Sequence, residues 1–136
     1  MKAQDCIFFQ LAKASQSGIR FWRDWVSRFN VTPVQGSVLI FLGEKDQTTS
    51  AHLGNRAQLD SATLTGILDR LESAGLLERR RNPDDRRSIL ICLTSEGREV
   101  AEDIRSTAEQ ANQAFLSNLS NEESQIFRLL LRKLLS

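Results

Sequence analysis

The sequence predicts a mainly α-helical protein carrying one small β-hairpin. Three observations support that fold class. Apolar residues recur at helical spacing through the segments before Gly75. Leu76–Arg81 and Ser88–Leu93 are β-rich and flank Asn82-Pro83-Asp84-Asp85, which is turn chemistry. Two more helical stripes follow, so the expected order is four helices, a hairpin and two helices.

The first helical stretch, about residues 4–29, has apolar side chains at 7, 8, 11, 14, 22, 25, 26 and 29, with Gly18 among them. It stops before Asn30-Val31-Thr32-Pro33. There Thr32 is an N-cap, Pro33 suits the first helical position and Gln35 completes a capping box. The second helix is expected over 33–42, with Val34, Val38, Leu39 and Leu42 inward and Gly43 at its C-terminal end. Thr49 caps a short helix over 50–57 that turns Leu53 and Ala57 to the core. After Gln58-Leu59-Asp60, either Asp60 or Ser61 caps the next helix. Its buried stripe reads Leu64, Ile67, Leu68, Leu71 and Ala74, and Gly75 can take the left-handed conformation that ends it. Thr94 caps a long helix over 95–118 with apolar positions 101, 104, 108, 111, 115 and 119, close to a coiled-coil seam. Ser120 and Glu123 form a second capping box opening the last helix.

With 136 residues the chain fits one domain or one compact protomer. Hydrophobic residues at 40% and charged residues at 26% are ordinary for a soluble protein. No apolar run approaches the roughly 18 residues that span a bilayer, so no membrane partner is expected. Cys6 and Cys92 are too few for a disulfide framework, which makes a reducing cytoplasm the default. His52 is the single histidine and is expected on a helix surface. No metal site, cofactor motif or catalytic motif is present, and the protein is not expected to be an enzyme.

Net charge is only +1, but its distribution is uneven. The nine residues Arg79–Arg87 (RRRNPDDRR) hold five Arg against two Asp. Arginine suits bidentate phosphate and base contacts, although a solvated hairpin tip would look similar. Two short helices joined by a tight turn and followed by a hairpin make a winged helix-turn-helix. In that arrangement the second helix lies in the DNA major groove. Ser61, Ala62, Thr63, Thr65 and Gly66 lie mostly off the apolar stripe of this helix and are small or hydroxylated, which permits close approach to duplex DNA. Arg70 can reach a phosphate. The terminal segments suggest a homodimer, because Phe115–Leu135 holds ten large apolar side chains in 21 residues, more than one lobe can cover.

Leu59–Gly97 resembles the core signature of the MarR family of transcriptional regulators. The matching elements are Leu71-Glu72, Gly75-Leu76, Asp85 with Arg87, and Leu93-Thr94 with Gly97. The resemblance implies a repressor-type homodimer on a pseudo-palindromic operator. Residues 1–30 and 95–136 would then form the intertwined helical dimerisation region, and 31–94 the DNA-binding lobe. It implies a wing-tip role for Arg87 in the minor groove, with Asp85 as its orienting carboxylate and Arg86 as a neighbouring contact. It also implies control by a small-molecule or redox signal. Trp22, Trp25 and Phe29 are candidates for an aromatic effector pocket, with core and dimer packing as the alternative. Cys6 is the candidate for a thiol sensor. The family's peroxide sensors hold that cysteine with tyrosines, however, and this chain has none. A winged-helix protein-interaction module without DNA binding is the remaining alternative.

Overall fold

A computed structural model describes all residues 1–136. The helices are α1 (Ile7–Val26), α2 (Pro33–Glu44), α3 (Ser50–Ala57), α4 (Ser61–Ser73), α5 (Ser95–Phe115) and α6 (Asn121–Leu135). The strands are β1 (Thr48–Thr49), β2 (Leu77–Asn82) and β3 (Asp85–Leu93). They form an antiparallel sheet in the order β1-β3-β2. The mainly helical fold class and the element order are as expected. β1 was not foreseen, because two threonines beside a helix cap carry no strand periodicity.

Capping decides most boundaries. Thr32 accepts from the Gln35 N–H at 3.2 Å while the Gln35 side chain accepts from the Thr32 N–H at 3.0 Å. Thr49, Asp60, Thr94 and Ser120 each accept from the N–H three residues on. These bonds satisfy donors that a helix start leaves open. Asn30 and Gln58 take the left-handed conformation between helices, and Gly75 does so before β2. The first stretch is interrupted at both ends. A 3₁₀ turn over Ala3–Asp5 precedes an extended Cys6, and another over Ser27–Phe29 follows α1.

The core joins α2, α3, α4 and the sheet to the first half of α5. Leu39, Leu42, Leu53, Leu64, Leu68, Leu71, Ile91, Leu93 and Ile104 are fully buried. Several inward assignments fail for specific reasons. Val34 lies on the outer edge of α2, beside Ile19 and Trp22, and is exposed. Gly43 lies in the last turn of α2, one residue before its end, and faces Ala101 of α5 with room for a methyl group. Ala74 is the exposed C-cap of α4, one residue past the stripe, and Ala57 is only half-buried. The long helix ends at Phe115, not 118. β3 begins at Asp85, before the apolar run, because Asn82 pairs with Asp85 across the turn.

The hairpin meets α5 at a crowded joint. The Thr94 hydroxyl donates to the Gly75 carbonyl at 2.7 Å, and the Thr94 N–H donates to the Leu76 carbonyl at 3.1 Å. Gly97, in the first turn of α5, lies so close that a Cβ there would overlap the Leu76 backbone. Gly97→Ala should therefore cost about 3 kcal/mol through forced displacement. Gly43→Ala, whose Cβ would meet Ala101 at 3.5 Å, should be neutral or gain up to about 1 kcal/mol in helix propensity. Urea unfolding at one fixed protein concentration checks both, and equal midpoints would contradict this account of the joint.

Candidate functional site

α4 presents two different faces. Leu64, Ile67, Leu68 and Leu71 face the core, while Ser61, Ala62, Thr63, Thr65 and Gly66 are all exposed. The structure thus gathers these five expected site residues on the first turns of one helix. Their hydroxyls are not equivalent. Thr63 donates to Asp60 at 2.9 Å and Thr65 donates to the Ser61 carbonyl at 2.7 Å, whereas the Ser61 hydroxyl has no bond within the chain. Open space surrounds the position a Cβ would occupy at Gly66, so the fold itself does not require glycine there. Arg70 lies further along α4, at a cleft shared with Phe29, Asn30, Gln35 and Glu96.

The wing is an irregular hairpin. Arg81 pairs with Ile89 and Asn82 with Asp85, so Arg86, Arg87 and Ser88 bulge from β3. The Asp85 carboxylate accepts from the Arg87 N–H at 2.9 Å, and the Asn82 amide donates to the Ser88 hydroxyl at 2.9 Å. Asp85 therefore fixes the backbone that carries Arg87 and makes no ion pair with its guanidinium. The five arginines of the run divide into two groups. Arg79 bonds Asp69 and Glu72 of α4, and Arg80 pairs with Glu78. Arg81, Arg86 and Arg87 have no ion-pair partner, so the free positive charge lies at the far end of the hairpin.

The three aromatic candidates separate. Trp22 lines a cleft of about 330 Å³ between α1, α2 and α5, together with Gly18, Phe21, Ile40, Asn112 and Phe115. Phe29 lines the cleft beside Arg70 instead, and Trp25 stacks against Phe21 at 6.0 Å without reaching either. Gly18, Phe21 and Phe115 were missed as cleft residues. The signal available was that positions 18, 21 and 22 share a helix face. No charged side chain lines the Trp22 cleft, and the Trp22 indole N–H is spent on the Pro33 carbonyl at 3.2 Å.

Cys6 is half-buried and makes no capping bond, while Cys92 is buried, which pushes its thiol up from the ordinary value. No group of three His, Cys, Asp or Glu is placed to hold a metal ion, and no helix is long and apolar enough to cross a membrane.

Hydrogen bonds from the Thr63 backbone N–H, and then from its hydroxyl, hold the Asp60 carboxyl below its ordinary value of 3.8. Such a group stabilises the fold above its ordinary value, and that contribution is lost as pH falls through the lowered one. Asp60→Ala should lower the urea midpoint at pH 7 and make the remaining acid loss shallower. An unchanged midpoint at pH 7 would remove Asp60 as the determinant of the α4 start.

Residues 31–89 match the family model described as MarR family. The chain is 32% identical over 133 residues to the organic hydroperoxide resistance transcriptional regulator of Bacillus subtilis, covering 96% of this chain and 90% of that one. It superposes with TM-score 0.89 and 27% identity on a crystal structure of mutant MarR from E. coli complexed with operator DNA, each chain being covered in full. BpsR of Bordetella bronchiseptica, whose DNA binding is regulated by 6-hydroxynicotinic acid, matches with TM-score 0.91 and 27% identity over 98% of this chain and 96% of that one.

Proposed function

The chain belongs to the MarR family of transcriptional regulators, and from that premise we propose that it is a homodimeric repressor whose operator affinity is set by an uncharged aromatic effector. The observation that carries the DNA-binding part is the pairing of two free surfaces on one lobe. One is the small, exposed first turns of α4; the other is the unpaired Arg86 and Arg87 on a bulge pinned by Asp85. Ser61, Ala62, Thr63, Thr65 and Gly66 meet base edges, Arg70 meets a phosphate, and Arg87 enters the minor groove with Arg86 beside it.

Dimerisation rests on surface that one copy leaves open. α6 buries no residue and α1 buries only Val26, while Phe8, Leu134 and Leu135 are 78%, 66% and 74% exposed. Residues 1–30 and 95–136 supply this two-fold region and 31–94 the reading lobe. Two lobes related by a two-fold axis suit half-sites about one helical turn, ~10 bp, apart.

Arg87→Ala should weaken operator binding and flatten its salt dependence. Each neutralised phosphate contributes about 0.9 to the slope of log affinity against log salt, so two wings account for up to ~2. The loss should be larger on duplexes with A·T-rich flanks than on G·C-rich ones, because narrow minor grooves attract arginine. Wild-type affinity and slope on both duplexes would discard the wing assignment.

The effector reading rests on the Trp22 cleft. An anionic ligand would need a cation there, and the lining offers aromatic faces and the Asn112 amide. Gly18 leaves room, since a Cβ there would meet only Phe115 at 3.8 Å. Indole should release the operator from the wild type and benzoate should not. Gly18→Leu, which fills the cleft with a good helix former, should stay on the operator in both. Release by benzoate alone would overturn the uncharged class.

A further inference from the structure

The sequence places Arg79 in a basic run, but its contacts set it apart from the wing arginines. Its two terminal nitrogens each hold a different carboxylate of α4. Nη2 donates to Asp69 at 2.8 Å and Nη1 donates to Glu72 at 2.7 Å. Asp69 and Glu72 are three residues apart and lie on the solvent side of the helix, with side chains 62% and 42% exposed. Arg79 is held at 26% exposure, and its backbone is fixed in the ladder opposite Ile91. One guanidinium fork thus spans from the hairpin to two acids of the recognition helix.

Exposed ion pairs contribute little to folding. The location of this bridge gives it a different consequence. Duplex DNA carries about one negative charge per 1.7 Å of axis. A helix entering the groove with two bare carboxylates in its later turns would be repelled by the flanking phosphates. We propose that Arg79 is a positioning residue that masks Asp69 and Glu72, so that α4 can approach DNA, and that it is not itself a phosphate contact. This rests on the reading that α4 faces duplex DNA. Masking leaves the three-residue group one charge negative instead of two. Both ends of the fork are already occupied, so Arg79 cannot offer the same geometry to a phosphate.

The test uses full-length protein and the duplex that the wild type selects from a random pool, read by fluorescence anisotropy across a salt series. Arg79→Gln should weaken binding about tenfold at low salt, with the deficit shrinking as salt screens the repulsion. Adding Asp69→Asn and Glu72→Gln to that variant should restore wild-type affinity or exceed it. Asp69→Asn with Glu72→Gln and Arg79 intact should bind at least as tightly as wild type, and this variant does not depend on how well Arg79→Gln folds. A triple variant as weak as Arg79→Gln alone would overturn the proposal, because a lost phosphate contact or a shifted wing is not repaired by removing acids. Weaker binding by the double variant would overturn it as well. A wild type that selects no duplex would sink the DNA-binding reading itself, and the proposal with it.

Discussion

The close approach of Gly97 to the Leu76 carbonyl governs the rest of this structure. Three segments converge there: the turn after α4 at Gly75, the start of β2 and the first turn of α5. Thr94 bonds both the Gly75 and Leu76 carbonyls while capping α5. A side chain at Gly97 would push α5 off the hairpin. Because α5 also supplies Ala101 and Ile104 to the core and then runs on to Phe115, its angle at this joint carries the reading lobe and the open apolar helices together. A second fastening supports it. The Asp46 carboxylate accepts from the Leu93 N–H at 2.9 Å and lies 3.5 Å from Arg98, which ties the β1 loop, the end of β3 and the start of α5.

Charge on this protein is better described by commitment than by count. Nine residues hold five arginines, yet Arg79 and Arg80 are engaged by neighbouring acids and only the far end of the hairpin is free. The same division holds for the hydroxyls of α4, where Thr63 and Thr65 donate to acceptors within their own helix start and Ser61 does not. This lobe presents small side chains on α4 and unpaired arginines on a bulge of the hairpin. Close fit and long reach are thereby separated onto different elements. That division suits base contacts on one and groove or phosphate contacts on the other.

The apolar surface of α1 and α6 has a related meaning. A lone chain that leaves Phe8, Leu134 and Leu135 in water exposes far more than scattered surface hydrophobics. A second copy would cover that surface, and the Trp22 cleft lies between the same α1 helix and the α2–α5 core. An occupant of the cleft would touch Phe21 of α1 and Phe115 of α5, whose rings are 5.2 Å apart, and so bear on both helices.

Local chemistry alone determined much of this protein. Thr32, Thr49, Thr94 and Ser120 cap where their side chains allow, Gly75 turns where a left-handed residue is needed, and the α4 stripe from Leu64 to Leu71 points inward at a helical period. Each of these depends on neighbours within four residues, so each is legible in the sequence. The winged helix-turn-helix, the exposed small residues of α4 and the resemblance across Leu59–Gly97 follow from the same local signals. Tertiary structure decided what depends on distant partners. Gly43 reads only as a residue near a helix end, and its place beside Ala101, 58 positions away, is set by the packed chain. Val34 looks inward until Ile19 and Trp22 are placed beside it. Trp22, Trp25 and Phe29 look like one cluster, but the break after Val26 sends Phe29 to another cleft. Arg79 looks like a free cation until the hairpin folds back onto α4. Periodicity assigns a residue to a face, but only the packed chain determines what that face meets.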